Sequence, residues 1–114
     1  KLAKTCGSTI LGVDAVTISV EISVQSGTKY FMVGLPDNAV KESWHRVSTA
    51  IIHNTYYMPR KRVVINLAPA DIRKEGTGYD LPMAIGILAA THQVKQEELD
   101  KIIGNLVNYM KKIN

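Results

Sequence analysis

The chain has 114 residues, of which 46% are hydrophobic and 21% are charged, as in ordinary globular domains. This length supports one hydrophobic core and not two, and the composition excludes a disordered or low-complexity chain. The formal net charge of +4 is mildly basic, which permits nucleic-acid binding without requiring it.

The first third of the chain has the alternation of a β-sheet. In residues 17–24 the even positions are apolar and β-branched, and the odd positions are polar. A strand with this period buries one face, which here consists of Ile18, Val20, Ile22 and Val24. Further strands are predicted at residues 8–11 and 29–33, the latter after a turn at 25–28. We predict that these three strands form an antiparallel sheet.

A helix of about four turns is predicted after the turn at residues 34–37. Asp37 can cap it, because its carboxylate accepts a hydrogen bond from the free amides of the first turn. The apolar positions follow at spacings of four, three and four, and they are Val40, Trp44, Val47 and Ile51. This stripe predicts that Trp44, the only tryptophan, lies in the core.

The second half of the chain continues the α/β pattern. Residues 62–67 predict a central strand, because they are apolar on both faces except at Asn66. A loop spans 68–79, and Asp80 is predicted to cap a second helix that has almost no polar face and lies against the sheet. A third, weaker helix is predicted at 97–103. The expected fold is an α/β (α+β) domain of order β-β-β-α-β-α-α.

Most catalytic and cofactor motifs are missing from the sequence. No Gly-x-x-x-x-Gly-Lys-[Ser/Thr] stretch occurs, so no ATP site is predicted in this chain. The three histidines are far apart, and no cysteine or second histidine stands at metal-ligand spacing, so no metal or other cofactor is predicted here. Cys6 is the single cysteine, which excludes an internal disulfide and fits a reducing compartment.

No membrane-spanning segment or signal peptide is predicted. No apolar run follows the first four residues, and the longest apolar stretch, 81–90, is about half of a membrane span. We therefore expect a soluble, cytoplasmic protein with no membrane partner.

The loop at residues 66–82 is charged and contains glycines, and it leads into a buried helix N-terminus. Such a setting suits anion binding or catalysis. Asp71 and Asp80 could act there as paired carboxylates, but no base or nucleophile accompanies them. A structural or interaction role is therefore favoured over catalysis.

A cluster of five cationic residues is the candidate nucleic-acid site: Lys41, Arg46, Arg60, Lys61 and Arg62. Tyr56 and Tyr57 precede the last three, so charge and aromatic rings together could bind phosphates and stack bases. The alternation of a strand would point Arg60 and Arg62 one way and Lys61 the other. The alternative, a solvated basic rim with a tyrosine packed inward, is favoured by the sequence alone.

Five short strings carry a family resemblance, and they stand in order at 32–37 (MVGLPD), 40–43 (VKES), 66–71 (NLAPAD), 74–76 (KEG) and 79–82 (YDLP). Together they resemble the N-terminal domain of the magnesium-chelatase-like ComM/YifB family of AAA+ ATPases, over roughly residues 5–100. The family motif loop then comprises Asp71, Lys74, Gly76, Gly78, Tyr79 and Asp80. We assign residues 1–103 to this domain, whereas 104–114 departs from the family pattern and stays unassigned.

The resemblance implies a fold like the Lon protease catalytic domain and the C-terminal domain of RadA, within the ribosomal-protein domain 2-like superfamily. It also implies a downstream AAA+ module that binds ATP and Mg, forms hexameric rings and takes part in DNA processing such as branch migration during natural transformation. This domain would be a non-catalytic accessory part. Its partners would be its own AAA+ module, neighbouring subunits of a homo-oligomer, and DNA.

The Lon-like resemblance bears directly on proteolysis. The Lon nucleophile lies in a Lys-Asp-Gly-Pro-Ser-Ala-Gly stretch, and the similar stretch here is 74–80 (KEGTGYD). Gly78 stands where the serine is expected and has no side chain that could attack a substrate, while Thr77 is one residue away. The resemblance therefore implies a non-proteolytic domain. A Lon-like peptidase domain and a purely structural oligomerisation domain are the alternatives.

Overall fold

The computed structural model describes residues 2–11 and 14–95, and seven helical residues beyond them: 101, 104, 105, 108, 109, 111 and 112. Its named elements make a mixed α+β domain, in the order β1 (Leu2–Leu11), β2 (Asp14–Gln25), β3 (Tyr30–Val33), α1 (Asn38–His53), β4 (Arg62–Ala68) and α2 (Asp80–Ala90). The helix predicted at 97–103 lies mostly outside the described residues. The complete predicted order and the Lon-like assignment therefore stay predictions.

The sheet has the strand order β1-β2-β4-β3. β2 pairs antiparallel with β1 and β4, while β3 runs parallel to β4. The predicted three-stranded antiparallel start is therefore wrong, since β3 does not pair with β2. The reason is that β4, which buries Val63, Ile65 and Leu67, takes the central position between β2 and the short edge strand β3. The prediction that residues 62–67 form a central strand is confirmed.

Both helices cover one face of this sheet. Ile18, Val20 and Ile22 of β2 are fully buried there, and Val24 is half-buried, as their alternation predicts. β1 is longer than predicted, because it begins at Leu2 and pairs with β2 along its whole length. α2 lies so close to β2 that a Cβ at Gly86 would sit 2.6 Å from Cγ1 of Ile22. Helix and sheet can approach this closely only because residue 86 lacks a side chain.

α1 begins as predicted, with Asp37 as its N-cap and a hydrogen bond of 2.8 Å from the Val40 amide to Oδ1 of Asp37. The prediction for Trp44 is confirmed only in part, because its side chain packs against the core but is half-buried. Its ring stacks on Tyr30 with centroids 4.2 Å apart and planes 8° from parallel. Tyr30 belongs to the edge strand, so Trp44 covers the margin of the sheet, while Ser43 takes a buried position on the helix.

The C-terminal segment contacts the end of α1 through Tyr109, whose ring stacks on His53 at 4.3 Å. Within the described part of the chain, none of the helices combines the length and apolarity needed to cross a membrane.

Candidate functional site

The motif loop is anchored at its centre by the turn that precedes α1. The Lys74 amide donates to the Leu35 carbonyl, and the Asp37 amide donates to the Lys74 carbonyl, each at 2.9 Å. Asp37 also accepts a hydrogen bond of 3.3 Å from the Gly76 amide through Oδ2. The carboxylate of Asp37 therefore caps α1 and also holds the loop. These bonds link the sequence string at 32–37 to the string at 74–76.

Gly34 makes this anchoring turn possible. Its φ of +111° lies in a region that side-chain-bearing residues rarely adopt, and an added Cβ would lie 2.0 Å from the Leu67 carbonyl oxygen. The turn is thus pressed against β4, where the motif loop begins.

Asp80 is the most strongly bonded acid of the loop, and it is buried. Its Oδ1 accepts hydrogen bonds from Ser43 Oγ at 2.5 Å and from Arg46 Nη2 at 3.1 Å, while its Oδ2 accepts one from Arg46 Nε at 2.6 Å. The predicted helix cap at Asp80 is wrong, since Tyr79 is the N-cap residue of α2 and makes no side-chain cap bond. The carboxylate is instead directed at α1, where both Ser43 and Arg46 donate to it.

Arg46 is committed to this interaction. Its guanidinium also donates to the Ala39 carbonyl at 2.8 Å, and its side chain is only 16% exposed. The hydrogen bonds to Asp80 raise the pKa of Arg46 above its ordinary value, although burial acts in the opposite direction. Of the five cationic residues predicted to bind nucleic acid, Arg46 therefore has its charge directed into the domain.

Lys74 is fully buried, and its Nζ donates to the Pro69 carbonyl across the loop. Burial lowers the pKa of Lys74, and the nearby charge of Asp71 offsets part of this effect. Lys74 thus closes the loop on itself.

The tip of the loop is exposed from Glu75 to Gly78. Arg73 and Glu75 form a surface ion pair of 3.7 Å there, with both side chains 69% exposed. Tyr79, next along the chain, is buried, and its hydroxyl has no hydrogen-bond partner among the described residues. Across the described ranges, no group of three metal-ligating side chains comes together.

The four remaining cationic residues are exposed and form two groups. Arg60 and Lys61 lie in the bend before β4 and line the same cleft, so the predicted alternation that would separate them does not apply. Arg62 lies over the Phe31 ring at 4.6 Å, and Lys41 lines a shallow depression beside Phe31 at the edge strand.

The cleft beside Arg60 and Lys61 has a volume of about 380 Å³. One wall is the segment that leads from α1 to β4, with Tyr57 at its rim, and the other is the end of α2 with Thr91 and His92. Tyr57 is 58% exposed. Sequence reasoning identified Tyr57 as a stacking candidate. It missed the residues at the end of α2, because they lie more than 30 positions away from Tyr57 along the chain.

Two comparisons place this domain among known proteins. A family model described as subunit ChlI of Mg-chelatase matches residues 20–108. The chain therefore belongs to this magnesium-chelatase-like family, and within it to the ComM/YifB group that the five sequence strings indicate.

Individual relatives agree with this assignment. The uncharacterized protein YifB of Escherichia coli K12 is 48% identical over 99 residues, which cover 84% of this chain and 20% of the relative. The competence protein ComM of Haemophilus influenzae is 44% identical over 90 residues, which cover 78% of this chain and 18% of the relative. An uncharacterized protein of Mycobacterium tuberculosis H37Rv is 30% identical over 103 residues. The chain spans about a fifth of the length of these curated relatives.

Proposed function

We propose that this chain is a non-catalytic accessory domain of a magnesium-chelatase-like AAA+ ATPase that takes part in DNA processing. The observation that carries the proposal is the internal bonding of the motif loop. Asp37, Lys74 and Asp80 are charged residues of the motif strings, and each is bonded to the domain itself. The loop thus ties α1 and α2 into one unit that can transmit force or hold a position.

The full-length protein would supply the chemistry elsewhere. Relatives five times longer than the matched region leave room for an ATPase module, which would bind ATP and Mg and assemble into a hexameric ring in the cytoplasm. The edge strand supports a role in ring assembly, because Phe31, Val33 and Leu35 are 41%, 47% and 53% exposed there. We propose that a neighbouring subunit of the same protein covers this edge.

A DNA-guiding role has separate support. One relative is named a competence protein, and four exposed cations are available on this chain. If the four cations of an unassembled chain, Lys41, Arg60, Lys61 and Arg62, neutralise one phosphate each, duplex binding would weaken with salt at a slope near −3.6.

The proposal can be tested with the full-length protein that contains this chain. We expect Phe31→Ser combined with Val33→Ser to lower the fraction of assembled rings in light scattering, while ATP hydrolysis per assembled ring is retained. The matched control is Thr17→Ala with Ser19→Ala on β2, which changes two positions of the sheet without removing apolar surface. Unchanged assembly in the edge-strand variant would contradict the ring-support role.

The peptidase alternative has its own test. Gly78 offers no nucleophile, and Thr77 beside it is exposed at the loop tip. We expect no cleavage of unfolded casein and no labelling by serine-directed phosphonate probes. Covalent labelling at Thr77 would instead establish the peptidase function.

A further inference from the structure

In the cleft between the α1–β4 connection and the end of α2, hydrogen bonds hold the backbone of Tyr57 while its side chain is exposed to solvent. The backbone amide of Tyr57 donates to Oε1 of Gln93 at 2.9 Å, and the Tyr57 carbonyl accepts from Nε2 of Gln93 at 2.8 Å. Gln93 also donates to the Thr91 hydroxyl at 2.8 Å, which ties this clamp to the end of α2. The backbone of Tyr57 is therefore held by hydrogen bonds at both its amide and its carbonyl, while the residue as a whole stays 58% exposed.

The electrostatics of the cleft are one-sided. Arg60, Lys61 and His92 line it, and among the residues that the structure describes no acidic side chain lines it. Within the described residues, neither Arg60 nor Lys61 takes part in an ion pair, in contrast to Arg46 and Arg73. Their charges are available to an anion.

The floor of the cleft is apolar and includes Val24, Pro59 and Ala90. An exposed aromatic ring on an anchored backbone, an apolar floor and two cations without an ion-pair partner among the described residues form a combination that suits a ligand with a flat ring and a phosphate. Nucleotides have this chemistry, and their bases stack on aromatic side chains whatever their sequence.

We propose that this cleft binds one nucleotide of a single-stranded nucleic acid, with the base stacked on Tyr57 and the adjoining phosphates held by Arg60 and Lys61. The strand must be single, because a base inside a duplex is stacked on its neighbours and its face is closed to Tyr57. This inference rests on the DNA-guiding part of the proposed function and assigns it to a defined site.

The test is fluorescence anisotropy of a labelled thymidine oligonucleotide with the full 114-residue chain, over a series of salt concentrations. We expect Tyr57→Ala to weaken binding about tenfold and Tyr57→Phe to leave it unchanged, because the ring is what stacks. Arg60→Gln with Lys61→Gln should reduce the magnitude of the salt slope by about 1.4, the value for two phosphates of a single strand. Circular dichroism melting verifies that each variant is folded.

The matched charge control is Lys4→Gln with Arg73→Gln, which removes the same net charge outside the cleft and should leave the slope close to that of the wild type. A duplex of the same length should bind more weakly than the single strand. Free ATP that binds as tightly as the oligonucleotide would overturn the proposal in favour of a mononucleotide pocket.

The experiments distinguish an error in the cleft proposal from an error in the proposed DNA-guiding role. If the chain binds DNA but Tyr57→Ala binds equally well, the cleft proposal is wrong and DNA guiding belongs to another surface. If the wild-type chain binds no nucleic acid, the cleft proposal and the proposed DNA-guiding role are both wrong. Ring assembly, measured by light scattering on the full-length protein, is independent of both outcomes.

Discussion

The ion pair between Arg46 and Asp80 should contribute strongly to the stability of the domain. Replacing Asp80 with Asn keeps the shape of the side chain but removes the charge that accepts two bonds from Arg46 and one from Ser43. Removing one partner of a buried pair typically costs about 3–5 kcal/mol, since the other charge stays buried and unpaired. The side chain of Arg46 retains 16% exposure and can recover some hydration. We therefore expect a loss of about 3 kcal/mol in the free energy of unfolding.

Urea denaturation followed by circular dichroism measures this loss, and a thermal melt should shift by roughly 10 °C. The same arginine supplies a control, because Arg46 also meets Glu42 at 3.7 Å, where Glu42 is 69% exposed. Glu42→Gln should change stability by less than about 0.5 kcal/mol.

A double-mutant cycle separates the pair from its surroundings. Asp80→Asn and Arg46→Met should together cost less than the sum of the two single changes, by about 1–3 kcal/mol, because the second change removes a charge that the first left unpaired. Additive costs, or a loss below about 1 kcal/mol for Asp80→Asn, would refute the view that this pair is a buried and mutually dependent unit.

Three further predictions follow from the packing. Trp44→Ala should cost about 1–2 kcal/mol in urea denaturation, less than for a core tryptophan, because the ring is half-buried and stacks on Tyr30; a loss above about 3 kcal/mol would contradict this position. Gly86→Ala should destabilise by about 1–3 kcal/mol, because the new Cβ would overlap Ile22, whereas a gain would mean that the helix can shift. Burial lowers the pKa of Lys74 below its ordinary value of 10.5. At pH values between these two pKa values the unfolded chain binds more protons than the folded chain, so the free energy of unfolding rises with pH. Lys74→Met should flatten this rise when urea denaturation at pH 8 and pH 10 is compared with the wild type; an equal rise in both would show that other groups cause it.

Local patterns in the sequence predicted the local features of this fold. The alternation in β2 identified Ile18, Val20 and Ile22 as core residues, and the turn chemistry identified Asp37 as a cap. These predictions succeed because a period of two and a cap bond depend on residues within a few positions of each other.

The failures at Asp80 and in the strand order involve partners that are distant along the chain. Asp80 was assigned to the nearest helix amides, but its partner Arg46 lies 34 residues away. The three-stranded start was wrong for the same reason, since no local pattern in residues 26–29 reveals that β4 will separate β2 from β3. The sequence grouped Tyr57, Arg60 and Lys61 because they are neighbours in the chain, whereas the residues at the end of α2 that line the same cleft are not.

The position of β4 between β2 and β3 also determines the order in which the sheet can form during synthesis. Only residues 26–29 separate β2 from β3, yet the ladder of β3 is made with β4, which begins at Arg62. β1 and β2 can pair as soon as they leave the ribosome, whereas β3 must wait until α1 and β4 have been made. β4 then enters between two existing segments and pairs in both directions. In the nascent chain the apolar strand β3 therefore has no partner while α1 is being synthesised. At this stage such a strand can associate with other chains.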